Sequence, residues 1–129
     1  MIKPKAQTAT EFVFLIIIVF MVSLIFTVVS LNQERDINYQ REFILLKDVG
    51  LKLQSEISIA AYTEDGYSRV FEIPTKLDIF DYNISIINST FIFAESSNHQ
   101  FITRIATVNG TVIKGNNIIT KQNGNIKIN

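Results

Sequence analysis

Residues Phe12 to Leu31 read FVFLIIIVFMVSLIFTVVSL, twenty positions without a charge. As a helix rising about 1.5 Å per residue, this run spans roughly 30 Å, the thickness of a bilayer's hydrocarbon core. Its polar members are Ser23, Thr27 and Ser30, whose hydroxyls can bond back to helix carbonyls. The rest of a 129-residue chain is too short to wrap such a helix on every side, so a membrane-inserted helix is expected. An ordinary secretory signal describes it less well. That apolar core runs about 7–15 residues and ends at a small-residue cleavage site, whereas here Asn32-Gln33-Glu34-Arg35 follows. Lys3 and Lys5 precede the run, which by the positive-inside rule keeps the N-terminus cytoplasmic and the C-terminal part outside.

The helix is expected to continue beyond the apolar run. Leu46, Val49, Leu53, Ile57 and Ala60 recur at spacings of three and four, one stripe of an amphipathic helix. Arg41, Lys47, Asp48, Lys52 and Glu56 lie mostly off that stripe, and Asp48–Lys52 and Lys52–Glu56 have the spacing of i,i+4 ion pairs. Gly50 costs about 1 kcal/mol relative to Ala and is a candidate bend. Glu64-Asp65-Gly66 ends the pattern. One helix is therefore expected over residues 7–63, with 12–31 as its membrane half. The stripe on the other half needs a cover.

From Gly66 onward the period changes from 3.6 to 2. Tyr82, Ile84 and Ile86 alternate with Asn83 and Ser85, Phe101 and Thr103 with Ile102 and Arg104, and Ile126 and Ile128 with Lys127. Turn signals separate these runs at Pro74 to Asp78, Asn88-Ser89, Ser96 to His99, Asn109-Gly110, Asn116-Asn117 and Asn123-Gly124. The fold class expected is α+β: a long N-terminal helix with a small antiparallel meander of about six strands, residues 64–129, packed on its C-terminal half. Alone, a domain of that size is marginal.

Chemistry is sparse. Lys and Arg number 12 and Asp and Glu 12, so there is no basic excess to meet nucleic-acid phosphates. Cysteine is absent, which excludes thiolate catalysis and Cys-based zinc sites. The single histidine, His99, sits in a turn and is read as a surface residue. Asp78 and Asp81 read as turn residues rather than a calcium loop. With no nucleophile–base pattern and no phosphate-binding glycine loop, neither an enzyme nor a cofactor is expected. Tyr62, Tyr67, Phe71, Phe80, Phe91 and Phe93 are expected in the core, an adhesive patch being the alternative. Three N-x-S/T sequons begin at Asn83, Asn88 and Asn109, all in the part expected outside, where glycosylation is possible.

The most specific segment is Lys5-Ala6-Gln7-Thr8-Ala9-Thr10-Glu11-Phe12, which abuts the apolar run. It resembles the class III signal peptide of archaeal type IV pilin-like proteins: a basic residue, a small residue, then Gln-x-Ser-x-Glu and the hydrophobic stretch. This chain departs from the pattern with Ala9 in place of Ser. The resemblance implies that residues 1–6 are a leader removed by a membrane prepilin peptidase between Ala6 and Gln7. It implies a homo-oligomeric helical filament on the cell surface, built by an assembly ATPase and its membrane platform and serving adhesion. The apolar helices would bundle in the filament core, and Glu11 would pair with the Gln7 amine of a neighbouring subunit. In isolation, Glu11 reads as a border carboxylate favoured at a helix N-terminus. A minor pilin or pseudopilin, and a single-pass membrane-anchored extracellular binding module, are the alternative readings.

Overall fold

The computed structural model describes the backbone of residues 4–129 and the side chains of residues 9–129. Its contacts divide the chain into two units, one ending at Asn38 and one beginning at Tyr39. Helix α1 (Pro4–Tyr62) is continuous over 59 residues. Seven strands follow: β1 (Ser68–Ile73), β2 (Tyr82–Ile87), β3 (Phe91–Ser96), β4 (Gln100–Arg104), β5 (Val108–Gly110), β6 (Gly115–Gln122) and β7 (Asn125–Ile128).

In the second unit the expected stripe is the heart of the core. Leu46, Leu53, Ile57 and Ala60 are fully buried and Val49 nearly so. They cluster with inward residues of both sheets, among them Phe71 and Ile73 of β1, Ile92 and Ala94 of β3, Ile119 of β6, and Ile126 and Ile128 of β7. An α+β fold with a long N-terminal helix covered by small sheets is thus what the chain forms.

The strands are not one meander. They form a four-stranded sheet in the order β1-β6-β7-β5 and a three-stranded sheet in the order β2-β3-β4. The second is antiparallel throughout, whereas β5 pairs with β7 in parallel. The turn signals sort accordingly. Asn88 and Ser89 have φ of 52° and 57°, and Asn123 and Gly124 of 48° and 75°. Both pairs show the double positive φ of type I′ turns and close the β2–β3 and β6–β7 hairpins. Asn109-Gly110 does not turn; it lies in β5. Gly110 has φ 104°, and a Cβ there would lie 1.9 Å from the Ile128 carbonyl oxygen. Glycine at this position serves close backbone approach. Asn116-Asn117 lies inside β6, opposite Glu72 and Phe71. The fully buried Asn117 accepts from Ile113 N at 2.8 Å and donates to the carbonyls of Ile113 and Gly115 at 2.7 and 2.9 Å. One side chain thus satisfies the backbone of the β5–β6 loop.

The i,i+4 ion pairs on the helix are absent, because tertiary partners win. Lys52 Nζ donates to the Glu72 carbonyl at 2.7 Å, and Glu56, only 8% exposed, meets Arg69 of β1 at 3.4 Å. Gly50 is not a break in α1. A Cβ there would lie 2.4 Å from the Phe101 ring, so the glycine lets β4 press an aromatic onto the helix. The helix C-terminus is closed from β6: Lys121 Nζ donates to Ala61 O at 2.8 Å and Thr63 O at 2.7 Å, two carbonyls at the end of the last turn.

Candidate functional site

The N-terminal apolar span has no cover of its own. No residue of its most apolar window is buried, and its large side chains are about half exposed or more, up to 73% at Phe26. Thr27 Oγ1 donates to Ser23 O at 2.9 Å, which satisfies the hydroxyl inside the helix. This one helix is long and apolar enough to cross a membrane. Glu11 is exposed and directly precedes the span. Ala6 and Gln7 lie in the backbone of α1, while their side chains fall outside the described residues, as do residues 1–3 of the expected leader.

The three sequon asparagines are all exposed. Asn83 lies on the outward side of β2, Asn88 in the β2–β3 turn and Asn109 in β5. The aromatics divide. Phe71 is core at 5% exposure, Tyr67, Phe80 and Phe93 are half-buried, Phe91 is 38% exposed, and Tyr62 is 93% exposed at the end of α1. The expectation of core therefore fails at Phe91 and at Tyr62; Tyr62 lies two residues, about 200°, from Ala60 of the stripe and so falls on the far side of the helix. Tyr62 lies in α1, Phe71 in β1, Phe91 and Phe93 in β3, and Tyr67 and Phe80 in the loops that flank β1. Asp78 pairs with Arg41 at 2.9 Å and Asp81 with Lys76 at 3.8 Å. No group of three or more His, Asp or Glu placed to hold a metal occurs among the described residues.

His99 is not a surface residue. It is 9% exposed, edge-on to Tyr39 at 4.0 Å and to Phe43 at 5.4 Å between centroids. Its Nε2 lies 2.9 Å from the Tyr39 carbonyl oxygen. A carbonyl only accepts, so Nε2 carries the proton. The β3–β4 turn thereby folds back on α1, with Ser96 N donating to His99 O at 2.8 Å.

The same turn holds a buried carboxylate. Glu42 is 1% exposed and accepts from Asn98 Nδ2 at 3.0 Å through Oε2. Its Oε1 has no hydrogen-bond partner among the described residues. Burial raises its pKa. Hydrogen bonds from Asn98 and Ser96 and the nearby His99 outweigh that, leaving it below the usual carboxylate value. The sequence did not mark Glu42, and it marked His99 only as a surface residue. Glu42 does fall four residues before Leu46, in line with the core stripe, and that position was the available signal.

Beside the latched turn lies an open hollow of about 430 Å³, lined by Tyr39, Gln40, Phe43, Ile44 and His99. No protein-family model matches the chain, and no curated protein or solved structure matches it either.

Proposed function

We propose that the chain is the structural subunit of a type IV pilus-like surface filament. It is inserted as a single-pass precursor, cut between Ala6 and Gln7 by a prepilin peptidase, and drawn by an ATPase-powered platform into a bundle of its apolar helices. The β-strands then coat the exterior, where the exposed Asn83, Asn88 and Asn109 are available to glycosylation and the coat serves adhesion. The observation that supports this reading is a juxtaposition. A leader-like segment, Lys5 to Phe12, abuts a helical span that is apolar on every side and uncovered, while the other half of the same helix is covered by the chain's own sheets.

Glu11 has a defined task here. Apolar helix surfaces slide past one another with little preference, and leaving lipid for a helix bundle gains little hydrophobic energy. A carboxylate meeting the Gln7 amine of a neighbour fixes one axial height, because the attraction is strong only at contact in a low-dielectric core. Glu11→Ala and Glu11→Gln should therefore insert and be cleaved yet enter filaments poorly. The assay is the ratio of filament-bound to membrane-bound protein, with cleavage scored on the same samples. Normal filament yield from both variants would return Glu11 to a border carboxylate.

A further inference from the structure

The chain contains two Asn-Gly linkages, Asn109-Gly110 and Asn123-Gly124. Glycine carries no side chain, so nothing screens its backbone nitrogen from the Cγ of the asparagine before it. One reaction is open to such a pair without any partner but water. At the second linkage Gly124 N bonds to Asn123 Cγ, the proton of that nitrogen passes to the side-chain amide nitrogen, and ammonia leaves. Water then opens the cyclic imide at either carbonyl and gives aspartate or isoaspartate. Isoaspartate routes the main chain through Cβ and so lengthens it by one atom.

At this linkage the fold places a carboxylate on the attacking nitrogen. Gly124 N donates to Asp65 Oδ1 at 2.9 Å, across 59 positions of sequence. Two backbone bonds deliver Asp65 there. Gly66 N donates to Lys121 O and Lys121 N to Tyr67 O, both at 2.9 Å, and together they tie the turn after α1 to the end of β6. Gln122 and Asn125 form the last rung of the β6–β7 ladder, so Gly124 N lies beyond it. Asp65, Asn123 and Gly124 are all exposed, and a Cβ on Gly124 would meet nothing within 4 Å. The turn is open to the water that the second step consumes.

We propose that Asn123-Gly124 is a site of succinimide chemistry that Asp65 holds closed. With φ of 48° and 75° the two residues form a type I′ turn, in which ψ of the first is about +30°. That angle turns Gly124 N away from Asn123 Cβ, whereas the imide ring closes only with the nitrogen swung over to Cβ. The swing breaks the bond to Asp65. What the bond protects is the core. Ile126 and Ile128 of β7 are 5% and 0% exposed and stand opposite Lys121 and Ile119 of β6. An extra main-chain atom in a two-residue turn disturbs that register, and register decides which residues of β7 face inward. The inference stands apart from the filament reading.

The test uses the full-length chain in detergent, produced in a host that adds no N-glycans. Asn109 begins a sequon, and a glycan on its amide would block it as the internal reference. Samples are aged in mildly alkaline buffer, and peptide mapping by mass spectrometry reads aspartate and isoaspartate at 123 and 109 separately. Asp65→Ala leaves the backbone bonds of Gly66, Tyr67 and Lys121 in place. It should speed conversion at 123 by about tenfold, the size of one hydrogen bond to a charged group, and leave 109 unchanged. Hydrogen exchange at the Gly124 amide should rise with it. Equal acceleration at 123 and 109 would show a general loosening of the sheet and overturn the role of Asp65. No acceleration at 123 would overturn it as well, as would a wild-type chain in which 123 converts as fast folded as in urea.

Discussion

The two halves of α1 are both rich in large apolar residues, and they solve opposite problems. Residues 12–31 are apolar all round, and none of them is buried. Over residues 46–60 the apolar residues that count form one stripe, and two sheets cover it. The difference lies in pattern more than in amount. A helix with a polar back can dissolve with its stripe hidden by about 60 residues of β-structure. A helix without one finds a stable setting only in lipid or among other helices. A single secondary structure element thus carries two solvation environments, and the change falls where Asn32 to Asp36 bring in charge and amides.

The largest test of this contrast is truncation on each side of it. Leu53→Ala should cost about 2–5 kcal/mol, since Leu53 is fully buried between helix and sheets. Leu24→Ala, in the uncovered span, should leave the unfolding of the β-structure unchanged. Chemical denaturation of the full chain in detergent, followed by the sheet signal, reads both. Equal effects would mean that the two halves are not separately solvated.

Gly50→Ala tests a smaller term with a definite sign. In an exposed helix the change stabilises by about 1 kcal/mol. Here the added methyl meets Phe101 at 2.4 Å, and overpacking of this kind costs about 1–3 kcal/mol. A net loss in melting temperature is expected, and Phe101→Leu in the same chain should recover part of it. A gain would show that Gly50 is an ordinary helix defect.

The smallest effect concerns Glu42. Its carboxyl lies below the usual value when folded, so it contributes stability above its unfolded pKa and loses it as pH falls through the folded pKa. Stability of the wild-type chain should therefore decline on acidification below the ordinary carboxylate range of about 4.3. Glu42→Gln should flatten that part of the profile while lowering stability at neutral pH. A profile of the same slope in the variant would assign the acid sensitivity to other carboxylates.

The helix stripe could be read in advance because every member obeys one period and its partners lie on one face. The pairing of strands could not. Alternation marks a strand but does not say which edge it meets, so β6 seeking β1 across some forty residues looked like one more hairpin. Asn109-Gly110 and Asn116-Asn117 misled for a related reason. Their residue types favour turns in isolation, whereas here the glycine admits a neighbouring strand and Asn117 substitutes for backbone inside the core. His99 and Glu42 are buried because a turn distant in sequence folds back on the helix. The one local sign for Glu42 is its place four residues before Leu46, and nothing local to His99 records its burial.

The most direct measurement is the N-terminal sequence of the protein recovered from sheared surface material, compared with that from the membrane fraction. Surface chains beginning at Gln7 are the expected result, and replacing Ala6 with a bulky residue such as Phe should abolish both the cut and the surface fraction. Surface chains that retain Met1 or Ile2, or a protein found only in the membrane with residues 1–6 intact, would contradict assembly through the uncovered helix.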